Sequence, residues 1–205
     1  MTVTQITELN KSRSKVYIDG ELAFVLYKGE IRSYGIVEGR EIAEETYRIL
    51  IQEVLSKRAR LRCMNLLKSR EYTTAQLRQK LKEGYYPQEN IDDAIAYVTS
   101  FHYLDDERYT RDYITYHINA RSRKRIEMDL LHKGIEKSLI DSMFQELTDE
   151  CEEDKEEEII REFLKKKKFH PDEMDESQKR KIIGSLYRKG FSLDKIYKVL
   201  NKFDI

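Results

Sequence analysis

The sequence predicts a mostly α-helical fold of tandem three-helix repeats in an elongated array, preceded by a small N-terminal antiparallel β-hairpin or meander extension. After residue 40, apolar residues recur at helical spacing. Only four glycines follow residue 40, and three of them, Gly84, Gly134 and Gly190, each stand between two helical patterns. Charged residues make up 37% of the chain, above an average of about 25%, which indicates much exposed helix surface.

The N-terminal segment has the alternating pattern of a small antiparallel sheet. Residues 4–9 alternate between polar and apolar, and a second alternating run surrounds Asp19-Gly20, a two-residue turn typical of hairpins. Residues 10–14 would form a looser first turn. A short helix and a turn are predicted next, with Gly35 as the end of the helix. A meander this small needs a helix to pack against.

A long helix is predicted to join this sheet to the first repeat. It begins at about Ile42 and runs to about Ser69 on one slowly drifting apolar face. Its apolar residues are Tyr47, Leu50, Ile51, Val54, Leu61, Met64 and Leu67. The predicted divisions of the chain are a β extension with linker helix at 1–55, and helical repeats at 56–104, 105–150 and 151–205.

Repeat 1 contains the least regular copy of the helix–glycine–helix pattern. Thr73 or Thr74 is the predicted cap of its second helix. Gly84 is predicted to end that helix in a left-handed conformation, and Pro87 suits the first turn of the next helix. Ile91 lies one position later after the glycine than its counterparts do. This copy is therefore approximate.

Repeat 2 contains the clearest copy. Asp105 is a good cap for its first helix, and Gly134 suits a left-handed helix end. If Glu136 caps the third helix, Ile135 and Ile140 have the spacing of a hydrophobic staple, which sets the angle of helix entry. The buried stripe is predicted to comprise Ile126, Leu130, Leu131, Met143, Phe144 and Leu147.

In repeat 3 the apolar positions after the glycine match those of repeat 2 one for one. Eight of the ten residues 149–158 are acidic and residues 165–168 are lysines, an order that suits the helix dipole. Ser192 is a better cap than Glu136, with Phe191 and Ile196 as the staple. Its other predicted core residues are Ile159, Ile160, Phe163, Leu164, Ile182, Ile183, Leu186, Tyr187, Val199, Leu200 and Phe203.

The composition predicts a cytoplasmic protein without a cofactor. Cys63 and Cys151 have neither metal-ligand spacing nor a disulfide framework, so we expect two reduced thiols. No apolar run is long enough to cross a membrane, and no signal-peptide pattern is present. We expect a monomer that does not bind membranes. The formal net charge is zero, so any contact with nucleic acid must come from locally separated charge.

Catalytic and metal-binding motifs are scarce, so we expect no enzymatic activity. The sequence has no phosphate-binding glycine loop and no metal-binding pair of histidines. Asp105 and Asp106 form the single tempting carboxylate pair, and no third or fourth ligand accompanies them. A helix-capping role explains them better.

Three basic groups are the candidate sites for binding DNA or a protein partner. The first precedes and opens a helix, where cations oppose the dipole by up to about 1 kcal/mol, so an anionic partner would explain them; a solvated helix start is the alternative. It comprises Arg121, Arg123, Lys124 and Arg125. The second, in the long helix, comprises Lys57, Arg58, Arg60 and Arg62. The third is Lys165 and Lys166, whose place at a helix end the dipole also explains.

The fourteen tyrosines offer a second kind of contact, because aromatic rings stack on bases. Tyr109, Tyr113 and Tyr116 share one helix face. A buried face with hydroxyl groups at its rim is the simpler interpretation of that spacing.

Two short motifs in repeat 2 match a known family. The first comprises Tyr103, Leu104, Asp105, Asp106, Arg108 and Tyr109. The second follows the basic run and comprises Arg125, Ile126, Leu130, Lys133, Gly134 and Ile135. With these motifs the chain resembles the RecX family, and its Asp19-Gly20 hairpin resembles the N-terminal extension of Gram-positive members. The chain departs from the pattern at Ser122, where many relatives have glycine, so the loop there is expected to differ in shape.

The resemblance implies a regulator of the bacterial recombinase RecA. The implied partner is the RecA filament on single- or double-stranded DNA, and the implied effect is inhibition of the RecA ATPase and of strand exchange. Homologous recombination, DNA repair and the SOS response are the implied processes. Two alternatives stay open, a stand-alone DNA-binding protein with helix-turn-helix units and a helical adaptor that binds no nucleic acid. Zero net charge ranks the first of these below the filament regulator.

Overall fold

The computed structural model describes residues 1–147, 152–170 and 174–202, which form two compact units, 1–105 and 106–205. The predicted fold class is confirmed: a three-stranded antiparallel sheet precedes three sets of three helices. Cys151 and Phe203 lie outside the described residues, as does part of the acidic run 149–158. No helix among the described residues is long and apolar enough to cross a membrane.

The sheet of the first unit has the strand order β1-β2-β3. The strands are β1 (Val3–Glu8), β2 (Arg13–Ile18) and β3 (Glu21–Tyr27). The predicted turn joins β2 to β3, and Asp19 and Gly20 both have positive φ, at 49° and 91°, as this kind of hairpin requires. The buried face packs against the helices that follow, with a core of Val16, Phe24, Leu26, Leu50 and Leu55.

The predicted linker helix forms, but it contains a wide turn that the sequence analysis did not predict. Helix α1 (Lys28–Ser33) ends before Gly35, and α2 (Glu44–Ile49) begins the linker. A π-helical segment, Leu50–Leu55, separates α2 from α3 (Ser56–Leu67) without breaking the helical backbone.

Repeat 1 consists of α3, α4 (Thr74–Glu83) and α5 (Gln88–Ser100). Thr73 caps α4, with its hydroxyl accepting from the Gln76 N–H at 3.2 Å. The predicted left-handed conformation of Gly84 is wrong: Gly84 has φ −81°, and Tyr85 adopts φ 61° instead. Glycine is still favoured at position 84 for a steric reason, because a Cβ there would lie 2.9 Å from the Tyr86 ring.

This one-residue shift makes the first repeat regular. The Tyr86 N–H donates to the Leu81 carbonyl at 3.3 Å, as Ile135 does to Leu130 at 3.1 Å in the second repeat. Tyr85 is therefore the counterpart of Gly134 and Gly190, and Ile91 then occupies the same position as Ile140 and Ile196. The irregularity expected at Ile91 came from aligning the repeat on its glycine.

Repeat 2 consists of α6 (Asp106–His117), α7 (Arg123–His132) and α8 (Lys137–Leu147). Gly134 has φ 80°, as predicted, and the Glu136 carbonyl accepts the Ile140 N–H at 3.1 Å where α8 begins. Ser122 caps α7 through the Arg125 N–H at 3.2 Å. The core contains Ile114, Ile126, Leu130, Ile135, Ile140, Met143 and Phe144.

Repeat 3 consists of α9 (Glu152–Lys166), α10 (Glu176–Arg188) and α11 (Leu193–Leu200). Asp175 caps α10, and Ser192 caps α11 as predicted. Its core contains Ile160, Leu164, Phe169, Leu186, Phe191, Ile196 and Val199. Three residues assigned to apolar stripes along the chain are exposed instead: Leu61, Leu131 and Tyr187.

The second unit joins its two repeats at the turn between α10 and α11. The Ser122 N–H donates to the Lys189 carbonyl at 3.0 Å, and the Lys189 ammonium donates to the Ala120 carbonyl at 3.1 Å. Gly190 has φ 93°, and a Cβ there would lie 2.3 Å from Ser122 Oγ and 2.6 Å from Arg125 Cβ. The turn of repeat 3 therefore lies directly against the start of α7.

Candidate binding surfaces

Most of the basic run of repeat 2 forms ion pairs with carboxylates of the same repeat. The Arg121 guanidinium donates to Asp129 Oδ2 at 2.6 Å and to the Tyr113 hydroxyl at 3.3 Å. Arg125 pairs with the other oxygen of Asp129 at 3.0 Å, one helical turn away. Asp129 therefore offsets the two cations whose position at the start of α7 opposes the helix dipole.

Arg123 and Lys124, the other two members of that run, lie in different surroundings. The Arg123 guanidinium lies 4.6 Å from the Phe144 ring centroid and 3.8 Å from Asp141, so it covers the core of its own repeat. Lys124 is exposed and makes no ion pair within the described part of the chain. Lys124 is thus the cation of this run best placed for an outside partner.

Lys124 lies on the same outer face of α7 as two exposed apolar side chains, Met128 and Leu131. The spacing of four and then three residues aligns the three side chains along one stripe. A cation beside exposed apolar groups suits a protein partner better than phosphate alone. We refer to Lys124, Met128 and Leu131 as the α7 stripe.

The basic group of the long helix separates onto two faces. Arg58 and Arg62, four residues apart, face the turn between β1 and β2. Arg60 lies on the other face, where its Nε donates to Asp93 Oδ2 at 2.8 Å and its guanidinium carbon lies 4.9 Å from the Tyr97 ring. The hydrogen bond from Arg60 lowers the pKa of Asp93. Lys57 is exposed on the Arg60 side.

Arg58 and Arg62 line an open groove of about 1030 Å³ between the first repeat and the β1–β2 turn. Other residues that bring charge or aromatic rings to the groove are Lys11, Arg13, Lys80, Tyr27, Tyr85 and Tyr86. We call this the hairpin groove. Lys11 and Arg13 were not among the predicted site residues, although two basic residues this close together at the start of β2 were a visible signal.

Lys165 and Lys166 lie exposed near the end of α9, as predicted from the helix dipole. Lys166 lies 3.3 Å from Glu162, a fully exposed pair of little energetic weight. Tyr109 and Tyr113 pack against the core of repeat 2 as expected, but the expected burial of Tyr116 is wrong, because its side chain is 82% exposed.

The described residues contain no cluster of three or more His, Cys, Asp or Glu side chains that could hold a metal ion. Cys63 is buried in the core of repeat 1, and burial raises the pKa of its thiol to about 11. A thiol in that state is a poor nucleophile at neutral pH.

Three family models match the chain in succession. They describe the first, second and third three-helix domains of RecX and match residues 59–97, 105–143 and 154–200. This chain belongs to the RecX family. Similar proteins over the full length include regulatory protein RecX of Caldanaerobacter subterraneus subsp. tengcongensis, 32% identical over 98% of this chain and 99% of the relative. Regulatory protein RecX of Clostridium beijerinckii is 28% identical over 98% of this chain and 94% of the relative.

Solved RecX structures share the fold. A crystal structure of regulatory protein RecX matches 98% of both chains with a TM-score of 0.54 at 22% identity. The crystal structure of RecX from Lactobacillus salivarius matches 73% of this chain and 96% of that chain, with a TM-score of 0.53 at 20% identity. The resemblance carried by the repeat 2 motifs is confirmed by the three family models, one for each RecX helical domain.

Proposed function

We propose that this RecX-family chain binds RecA filaments on DNA and inhibits the RecA ATPase and strand exchange, and so regulates homologous recombination and DNA repair. The observation that carries the proposal is the match to all three RecX domains in order, together with relatives that align over the full length and are described as regulatory proteins. The proposed place of action is the cytoplasm, where the recombinase works, without an enzymatic step by this chain.

The distribution of charge supports a composite partner. Positive and negative residues are equal in number, at 38 each, so general attraction to nucleic acid is absent. Several exposed cations without an ion pair among the described residues are dispersed along the chain, among them Lys57, Arg62, Lys124 and Lys165. Each repeat thus offers a weak contact, and tandem repeats on a polymeric partner combine weak contacts through high effective concentration.

The direct test is an ATPase titration. RecA on single-stranded DNA is mixed with the full-length chain at substoichiometric to equimolar ratios, and ATP hydrolysis is measured. We expect hydrolysis to fall across that range. An unchanged rate at equimolar protein would reject the proposal, and tight binding to naked DNA without any effect on RecA would favour the stand-alone DNA-binding alternative.

The α7 stripe provides the sharpest variant for the same titration. Reversing Arg121 or Arg125 would also release Asp129, so Lys124→Glu is the cleaner change. We expect the half-inhibitory concentration to rise about threefold to fivefold, since one exposed charge contact contributes up to about 1 kcal/mol, which is about fivefold. Lys181→Glu on α10 is the matched control, an equal charge change at an exposed site of the same unit. Equal effects of both variants would remove the α7 stripe from the interface.

A further inference from the structure

The hairpin groove has more positive charge than its own carboxylates offset. Of the five basic residues lining it, Arg58 pairs with Glu30, and Lys80 pairs with Glu83 at 2.7 Å. Lys11, Arg13 and Arg62 make no ion pair within the described residues. A concave surface focuses the field of such charges and raises the local concentration of anions.

Three of the five basic residues lie close together at the floor of the groove. Tyr86 lies there, half-buried against the core of repeat 1. Burial raises the pKa of its hydroxyl, while the nearby guanidinium groups of Arg58, Arg62 and Arg13 act to lower it. Arg13 comes from β2 and the other two from α3, so two separate elements deliver positive charge to the same place.

The wall of the groove contains a tyrosine whose backbone has a left-handed conformation, which residues with a side chain rarely adopt. Tyr85 has φ 61°, whereas the other two repeats place glycine at this position. Its ring is 37% exposed and lies 4.2 Å from the Lys15 ammonium. Tyr27 adds a second ring, 44% exposed, with the Arg58 guanidinium 4.8 Å from its centroid. Tyr85 therefore places an aromatic ring at the edge of a cationic groove, where the other two repeats have none.

We propose that the hairpin groove binds single-stranded nucleic acid, with Arg13, Arg62 and Lys11 contacting phosphates and with Tyr27 and Tyr85 stacking on bases. Cations that follow a groove, combined with exposed rings, are how proteins bind single strands with little sequence preference. A duplex keeps its bases paired and stacked, so it offers no free base face to the two rings. The inference deepens the proposed function, because it names a DNA-binding site within a protein proposed to act on DNA-bound filaments.

The test measures DNA binding by the full-length chain in the absence of RecA. Fluorescence anisotropy compares a labelled oligothymidylate with a duplex of equal length over a series of salt concentrations. We expect the single strand to bind at least about fivefold more tightly, since each stacked base contributes about 1–3 kcal/mol, which is about fivefold or more. Arg13→Glu with Arg62→Glu should lower affinity at least tenfold. Loss of two phosphate contacts should also reduce the slope of log K against log salt by about 1.4.

Tyr85→Gly is the second variant, because glycine suits the left-handed backbone and tests the ring without straining the fold. We expect its affinity for the single strand to fall about fivefold, with its far-UV circular dichroism spectrum unchanged. Arg40→Glu with Lys82→Glu is the matched control for the charge reversals. Both residues are exposed in the same unit outside the groove lining, and we expect affinity to stay within about twofold.

Four outcomes would overturn the inference. The first is equal weakening by the groove and control double variants. The second is equal affinity for single strand and duplex with no effect of Tyr85→Gly, and the third is competition by an acidic peptide as effective as that by oligothymidylate. Inhibition of RecA by a chain that binds no single strand would also reject the groove while leaving the proposed function intact. Loss of strand binding in Arg13→Glu with Arg62→Glu, with RecA inhibition retained, would support the groove and separate it from the filament contact.

Discussion

In each repeat, one residue with a left-handed backbone conformation ends the second helix. Gly134 and Gly190 occupy this position at little steric cost, and Tyr85 occupies it with a side chain. Gly190 has a second reason to be glycine, since it also lies in close contact with Ser122 and Arg125 of the neighbouring repeat. Backbone conformation and close packing therefore require glycine at the same position.

Gly190→Ala should destabilise the second unit by about 2–4 kcal/mol, since a methyl group meets both a disfavoured φ and two close contacts. Denaturant unfolding followed by circular dichroism measures this. Gly184→Ala in the middle of α10 is the matched control, and its nearest foreign atom would be the end of the Arg188 side chain at 3.5 Å. We expect the control to be stabilised by about 0.5–1 kcal/mol. A Gly190→Ala protein as stable as the control would contradict the packing at this turn.

The sequence predicted where the turn of repeat 1 lies, but not which residue of that turn adopts the left-handed conformation. Glycine is the usual left-handed residue, so Gly84 was the natural choice, and tertiary contacts overrode it. The available signal was Ile91, one position late relative to the glycine and in register with Tyr85. The ion pairs of Asp129 were only partly visible, since its pair with Arg125 has helical spacing, whereas that with Arg121 depends on how the chain enters α7.

Among the secondary-structure elements, the linker helix departs furthest from a regular helix. Its buried residues Ile51, Leu55, Ala59 and Cys63 follow one another at four-residue intervals. In a straight α-helix this spacing drifts around the axis, because a turn holds about 3.6 residues. The π-helical segment Leu50–Leu55 widens one turn and offsets part of the drift, so the helix reaches the cores of both the sheet and repeat 1.

The wide turn receives a specific partner from another helix, in addition to its own hydrogen bonds from the Ser56 N–H and hydroxyl to the Ile51 carbonyl. Asn90 of α5 is buried, and its Nδ2 donates to the Ile51 carbonyl at 2.7 Å and to the Ser56 hydroxyl at 2.9 Å. The sequence showed the drifting face but not this contact, because the partner lies in another helix.

Asn90→Ala should lower the stability of the first unit by about 1–2 kcal/mol. Two buried hydrogen bonds are lost, but the buried amide oxygen, which has no hydrogen-bond partner within the described residues, is removed with them. Asn65→Ala on the exposed face of α3 is the control, expected within about 0.5 kcal/mol of the parent protein. Urea unfolding followed by tyrosine fluorescence provides the comparison. An Asn90→Ala protein with unchanged stability would show that Asn90 does not support the wide turn.

In the whole molecule, each of the two units contains its own cores. Residues 1–105 hold the cluster of the sheet and linker and the cluster of repeat 1, and residues 106–205 hold the clusters of repeats 2 and 3. The sequence predicted the three repeats because their periodicity is local. The grouping into two units depends on contacts between repeats, such as Ser122 with Lys189, that no periodicity reveals.

Residues 1–105 expressed alone should therefore fold and unfold in one cooperative transition, as measured by calorimetry or urea denaturation. A fragment of residues 1–87 is the control. It lacks α5, which supplies Ile91, Ala94, Ile95 and Val98 to the core of repeat 1. We expect that fragment to lose the structure of repeat 1. A disordered 1–105 fragment would contradict the division at Asp105.

The shifted left-handed residue of repeat 1 has a practical consequence for protein engineering. A chimera that exchanges α5 for its counterpart in another repeat needs a crossover point shared by both modules. Joining them at Gly84 and Gly134 would leave the chain one residue short ahead of the incoming α8 and rotate its apolar side chains away from the host. Joining them at Tyr85 and Gly134 preserves the phase of every following turn, so designers should splice these modules by backbone torsion instead of by residue type.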